Sequence, residues 1–331
     1  MYEKLADVRL KNGEVVEAGV VLGPDKEWCD RVQQLLLHKG DIWNWQNTAM
    51  LREPLGIEPR FHILHRNGQP FSHILITEFN GVGLLGHVWT QPEDRGCGAA
   101  SRLMERAMND FRERDGQAIY LATGYDTPPY HIYRKLGFEG IEPQSGIMSF
   151  FTTSQEEFEA QYFAPGEAVI EPLDWQHWPV ASALFAGDWP QAVRCAPLKL
   201  FGRTLTEGQL LPAIHAQRTG TGDSKQTFAL VKPANGAVVG LAATCGDPIW
   251  PQTRLIDVFC HPNFGYLAAD LLQAVTRNTH EHLIAYSDET DEEKAQLLRA
   301  AGFQFMAQLP QWLPADAACS RLININVWTR T

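Results

Sequence analysis

The sequence predicts an α+β protein laid out as two tandem copies of one arrangement, a mixed and mostly antiparallel sheet flanked by helices. Three observations predict it. The 331 residues exceed what one hydrophobic core usually organises. The order of strand-like and helix-like runs in the first half recurs in the second. Both halves also carry an Asn-Gly hairpin signal (Asn67-Gly68, Asn235-Gly236) and, later, a helical pattern that stops at Gly-Phe (Gly137-Phe138, Gly302-Phe303).

In the first half, a strand over 15–22 is followed by helical patterns over 27–38 and 42–52. Strands over 61–66 and 71–79 flank Asn67-Gly68. A third run, 83–90, leads into Pro92 and a glycine-bearing loop, and a helix spans 97–114. A buried strand over 118–122 precedes a short helix over 129–136, which Gly137 ends as a C-cap. Strands over 138–141 and 146–151 close the unit. The second half gives a strand over 169–173 and helices over 175–186 and 207–218. A hairpin of 227–232 and 238–244 follows, then strand 254–260 before Pro262. Helix 266–278, strand 283–286, helix 291–301 and strands 305–309 and 321–329 complete it. The expected domains are 1–151 and 167–331, joined by a linker over 152–166.

Apolar residues make up 44% and charged residues 20%, as in ordinary globular proteins. No run is long and apolar enough to span a bilayer, and the polar N-terminus is no signal peptide. The six cysteines show neither zinc nor redox spacing, which points to free thiols and a cytoplasmic location. The net charge is −11. No basic run suits a phosphate backbone, which argues against nucleic acid as a partner. An acidic surface suits small cationic or amine substrates, or serves solubility alone. Monomer and homodimer are both open.

The informative stretch is HVWTQPEDRGCGAASRLM, residues 87–104. A strand ends, a proline follows, and Arg95, Gly96, Cys97 and Gly98 enter a helix through Ala99 and Ala100. Glycines at such a turn let backbone N–H groups converge without Cβ clashes. At a helix N-terminus those groups lack internal partners and carry partial positive charge, which makes a diphosphate cradle. Arg95 adds a guanidinium suited to phosphate oxygens. No Gly-Lys-Ser/Thr follows, and the third glycine of G-x-G-x-x-G is missing.

The spacing Arg95-x-x-Gly98-x-Ala100 resembles the pyrophosphate-binding signature of the Gcn5-related N-acetyltransferases (GNAT), Gln/Arg-x-x-Gly-x-Gly/Ala. A second match lies downstream, where Tyr133 stands four residues before Gly137-Phe138. The resemblance covers most of 15–150 and implies tandem GNAT folds with acetyl-CoA as co-substrate, no metal, and a small-molecule amine as acceptor. It implies that Tyr133 acts as general acid for the departing thiolate. It further implies that the run before Pro92 splays from the next strand, with Val88 and Thr90 pairing with pantetheine and a backbone N–H there serving the oxyanion.

The base stays open. Alternation puts Leu84, Gly86, Val88 and Thr90 on the face toward the site and His87 on the other. His87, as base or packed histidine, Glu78, as base or solvated carboxylate, and a water chain all remain. Trp43 and Trp45 lie where the family borders its acceptor pocket, and either stack on substrate or fill the core. His62 and His65, three apart on a strand, face opposite ways and make a poor metal pair. The cluster of His280, Glu281 and His282 reads as surface. Cys97 lies open to thiol reagents without being catalytic.

The second copy aligns Val258-Phe259-Cys260-His261-Pro262 with residues 88–92, but its loop lacks the arginine and sets Leu267 opposite Gly98. Leu298 stands opposite Tyr133. The expectation is a non-catalytic copy that shapes the acceptor site or merely stabilises the first. An acyl-CoA sensor without turnover is the competing reading of the whole chain.

Overall fold

The structure is a computed structural model that describes residues 1–220, 226–277, 279 and 281–331. Two compact units emerge: Met1–Glu139 with Met148–Gln155, and Gly140–Ile147 with Glu156–Thr331. Each is a mixed sheet flanked by helices.

The first unit opens on β1 (Tyr2–Arg9), a strand the sequence does not announce because its charged and apolar residues do not alternate cleanly. It pairs antiparallel with β2 (Val15–Leu22), with a register shift between Lys4 and Ala6. Helices α1 (Cys29–Leu36) and α2 (Asp41–Arg52) come next. Then β3 (Glu58–Arg66), β4 (Gln69–Phe79) and β5 (Val82–Thr90) form an antiparallel meander. Asn67 and Gly68, at φ 48° and 80°, make the predicted tight turn. Helix α3 (Ala99–Glu113) crosses to β6 (Ala118–Ala122), which pairs parallel with β5. Helix α4 (Pro128–Lys135), β7 (Glu139–Gly140) and β8 (Ile147–Phe151) complete the order β1-β2-β3-β4-β5-β6-β8-β7.

The buried stripe of α3, with Leu103, Met104, Ala107, Met108 and Phe111, packs in one cluster with Leu64, Ile74, Ile76 and Leu85 of the sheet. Each such large side chain contributes about 1.5–3 kcal/mol. This packing fixes the N-terminal end of α3 beside the end of β5.

The stretch 152–166, read from sequence as a linker, contains α5 (Gln155–Tyr162), with Phe158 and Tyr162 buried. A helix end leaves carbonyls unpaired. Here Lys232 Nζ and Asn235 Nδ2 donate to the Tyr162 carbonyl at 2.9 and 3.0 Å, and Asn263 Nδ2 donates to that of Phe163 at 2.9 Å. From Glu156 onward the stretch is thus an integral part of the second unit.

That unit continues with β9 (Val169–Pro172), α6 (Ala181–Ala186), β10 (Val193–Cys195), β11 (Leu200–Phe201) and α7 (Glu207–Thr219). Next come β12 (Gln226–Val231), β13 (Val238–Gly246), β14 (Thr253–Cys260), α8 (Ala268–Thr276), β15 (His282–Asp288) and α9 (Glu292–Ala300). Strands β16 (Gln304–Pro314) and β17 (Leu322–Arg330) end it. The sheet order is β9-β12-β13-β14-β15-β17-β16, with β14 and β15 parallel, and it repeats the order from β2 onward in the first unit. The helix expected over 175–186 is broken. A 3-10 turn at Trp175–His177, capped by Asp174, precedes α6, because Pro179 between them has no N–H to donate. Asn278 and His280 lie outside the described residues. Among the described residues no helix is long and apolar enough to cross a membrane.

Candidate active site

Strands β5 and β6 pair only at Val82–Ala118, Gly83–Ile119 and Leu84–Tyr120, and part beyond that. The cause is legible in β5 itself. Leu75 faces Gly86 and His73 faces Trp89, so two residues of β5 oppose one of β4. This is a β-bulge, and His87 sits in it at φ 55°. Such an insertion bends its strand and shifts the alternation of side chains. The predicted face of Leu84, Gly86, Val88 and Thr90 therefore does not exist. Leu85 belongs to the α3-facing core and Val88 packs against it.

The parted strands bound a cavity of about 300 Å³. Strand β5 supplies Leu85, Gly86, His87 and Val88; α3 supplies Ala100 and Met104; Ala122 and Thr123 follow from β6; α4 supplies Pro129, Ile132 and Tyr133. Tyr133 is 7% exposed, and its hydroxyl has no hydrogen-bond partner among the described residues. Burial pushes its pKa up to about 12, so the phenol keeps its proton across the neutral range.

The turn between β5 and α3 gathers glycines and unpaired amides. Gly96 and Gly98 both have φ 80°, a conformation that carries a steric cost for residues with a Cβ. Among the described residues the amides of Gly96, Cys97 and Gly98 find no backbone acceptor. They precede α3, whose first amides are free by construction. Arg95 is exposed; its Nε donates to the Thr90 carbonyl at 3.1 Å and its guanidinium lies 4.6 Å over the Trp89 ring. Trp89 in turn stacks on His38 at 3.9 Å. Asp94, which would repel an anion, is paired with Arg66 at 2.7 Å. Lys11, in the turn between β1 and β2, donates its amide to the Cys97 carbonyl at 3.0 Å, and its side chain lies against Gly98. Sequence reasoning missed Lys11 because nothing in the local pattern links a turn at residue 11 to one at residue 98.

The predicted site residues thus separate. Val88, Ala100, His87 and Tyr133 meet in the cavity. Thr90 does not line it; its hydroxyl bonds to Ser72 at 2.8 Å. Gly96, Cys97 and Gly98 form the turn, and Ala99 and Ala100 open α3, with Ala100 also lining the cavity. Glu78 is displaced altogether. It faces Gly83, at the end where β5 and β6 stay paired, and Arg114 holds it at 2.7 and 3.1 Å. Burial raises its pKa while that ion pair works against the rise. Neither reading offered for it, base or solvated carboxylate, survives this geometry.

His87 Nε2 lies 3.0 Å from Gln46 Oε1, so this nitrogen carries the proton and Nδ1 keeps a bare lone pair, buried and without a partner among the described residues. Burial above all, helped by the nearby Lys39 charge, lowers its pKa to about 3. Trp43 sets its ring edge-on to His87 at 5.1 Å without lining the cavity, and Trp45 is half-buried on the same helix. Gln46 is a second contributor that sequence reasoning missed. His62 bonds to Asp110 and His65 to Tyr2, each in its own network.

No curated protein sequence matches the chain. Among solved structures the chain is similar to an N-acetyltransferase from Staphylococcus aureus Mu50, at 14% identity and a TM-score of 0.40, over 50% of this chain and 98% of that one. It is also similar to a putative acetyltransferase from Salmonella typhimurium solved with acetyl-CoA, at 16% identity and a TM-score of 0.39, over 50% of this chain and 94% of that one. Residues 28–138 match the model described as the acetyltransferase (GNAT) family. The parted strands, the glycine turn and Tyr133 all fall inside that match, so it is over this segment that the chain is similar to the acetyltransferase (GNAT) family.

Proposed function

We propose that the chain is an N-acetyltransferase that moves the acetyl group of acetyl-CoA directly to a primary amine of a small molecule, with the active site in the first unit. One observation carries this reading: a cavity between parted strands holds a protonated tyrosine and adjoins a turn of unpartnered amides at a helix N-terminus. The cradle fits a diphosphate, since a Cβ at Gly98 would meet the Lys11 side chain at 3.3 Å. Arg95 and Lys11 then supply cations at its rim.

Acetyl-CoA supplies an activated thioester carbonyl. Free amides along the unpaired edge of β5 beyond Leu84 are placed to hold the carbonyl oxygen. Tyr133 gives its proton to the departing sulfur. His87 lines the cavity as a neutral imidazole that does not store the proton, and water takes the proton released by the attacking amine. No acyl-enzyme is needed.

In the second unit the turn before α8 is a 3-10 segment, Pro262–Leu267, with no left-handed residue, and Leu298 in α9 is buried where Tyr133 stands in α4. We read residues 167–331 as a non-catalytic copy of the fold in 1–151. A sensor that binds acyl-CoA without turnover is the second reading. It is favoured by the locking of Glu78 and the suppressed basicity of His87. Release of free thiol from acetyl-CoA across an amine panel separates the two. Tight CoA binding with no thiol released from any amine overturns the enzyme.

A further inference from the structure

In the second unit β14 and β15 also pair only at their first residues, Thr253–His282, Arg254–Leu283 and Leu255–Ile284, and then part. The first unit leaves a cavity of about 300 Å³ at this place, whereas here the space flanked by β14, α8 and α9 is about 100 Å³. What fills it is chain. The first unit joins α1 to α2 through residues 37–40 alone; the second joins α6 to α7 through residues 187–206, which carry β10 and β11.

The segment is held as a bound peptide would be. Asp288 accepts the amides of Ala192 and Val193 at 2.5 and 2.8 Å, and Asp257 accepts that of Ala196 at 2.9 Å. Lys294 Nζ donates to the Val193 carbonyl at 3.0 Å and pairs with Asp257 at 2.5 Å. All three charged side chains are buried. Arg194, 1% exposed, binds the carbonyls of Phe185, Gly187, Trp189 and Gln191. Ile323 and Ile325 of β17 seal the segment in one apolar cluster with Ala192, Val193 and Ala196. Buried charges persist only where partners satisfy them, and here the segment's amides and carbonyls join the Lys294–Asp257 pair and the Val258 amide on Asp257 as those partners.

We propose that residues 191–198, the short strand β10 followed by a 3-10 turn at Ala196–Leu198, are a built-in occupant of the second unit's strand wedge, in the place where the first unit leaves its cavity open, so that this wedge admits no acyl-CoA. The comparison with acyl-CoA rests on the reading of the first unit given above; the occupancy itself does not. Asp257, Asp288 and Lys294 accordingly serve the occupant and carry no chemistry.

The test uses the full chain and the buried thiol of Cys195, inside the occupant, as reporter. Calorimetric titration with CoA is expected to give one equivalent per chain. Alkylation by iodoacetamide, followed peptide by peptide, is expected to leave Cys195 unlabelled with and without CoA. Asp288→Asn is expected to raise its labelling rate at least about tenfold while the buried Cys29 of the first unit is unchanged. If that variant does not fold, Ile325→Ala loosens the seal from the other side and is expected to act in the same direction. A second CoA equivalent, or a native Cys195 whose labelling responds to CoA, overturns the proposal, as does indifference of Cys195 to both variants. Absence of any CoA binding overturns the reading of the first unit, and Cys195 then still decides the occupancy.

Discussion

Tyr133 shows how burial decides a role. With no partner for its hydroxyl among the described residues and a pKa pushed to about 12 by burial, it keeps its proton across the neutral range. Tyr133→Phe is expected to lower kcat by about 10²–10⁴-fold while CoA affinity stays within about twofold. Stopped-flow thiol release and calorimetry check the two halves, and a large loss of affinity would remove the tyrosine from the chemistry. Gly98 makes the complementary case for binding. At φ 80°, with Lys11 carbons 3.3 Å from where a Cβ would stand, Gly98→Leu costs about 1–2 kcal/mol in backbone strain and narrows the cradle. CoA affinity should fall at least about tenfold with the circular dichroism of the fold retained. His73 and His87 set a pH limit. Burial lowers both to about 3, so each is neutral in the fold while the unfolded chain binds protons near 6.5. Stability is full above that pH and is lost as pH falls from about 6.5 toward 3, by up to about 1.4 kcal/mol per pH unit for each histidine. His73→Gln should make the slope shallower in denaturant titrations at pH 7, 6 and 5, while His87 and the likewise lowered His261 keep their own shares.

At the scale of elements, the glycine turn and the short tyrosine helix were legible because each is written in consecutive residues. The helix was expected at 129–136 and lies at Pro128–Lys135. What sequence could not show depends on partners far along the chain. The bulge at His87 exists only relative to the register of β4, so side-chain alternation along β5 breaks at a residue that nothing in the local sequence marks. Glu78 looked available because Arg114, its partner across the first unit, is invisible in a local window. Helix α5 was hidden for a similar reason. Its polar sequence reads as a connection, yet Phe158 and Tyr162 stack at 4.8 Å, with both rings buried. Phe158→Ala should destabilise the second unit by about 3–5 kcal/mol, as deletion of a buried phenyl ring does. Hydrogen exchange at β13 is the measurement, and exchange unchanged from wild type would return the stretch to linker status.

At the scale of the whole chain, two units share a strand order and differ in what fills the gap between their parallel strands. A ligand that binds only the native form of one unit stabilises that unit by mass action and does nothing for the other. CoA at about one hundred times its Kd should therefore slow exchange of the α3, β5 and β6 amides by an amount corresponding to about 2.7 kcal/mol. The amides of β14 and β15 should exchange as before. Arg95→Glu separates this from a general effect of a polyanion on a chain of net charge −11. The variant should abolish the protection in the first unit without altering exchange in the second. Protection that spreads equally over both sheets, or that survives Arg95→Glu, would mean that CoA is held somewhere other than the turn before α3.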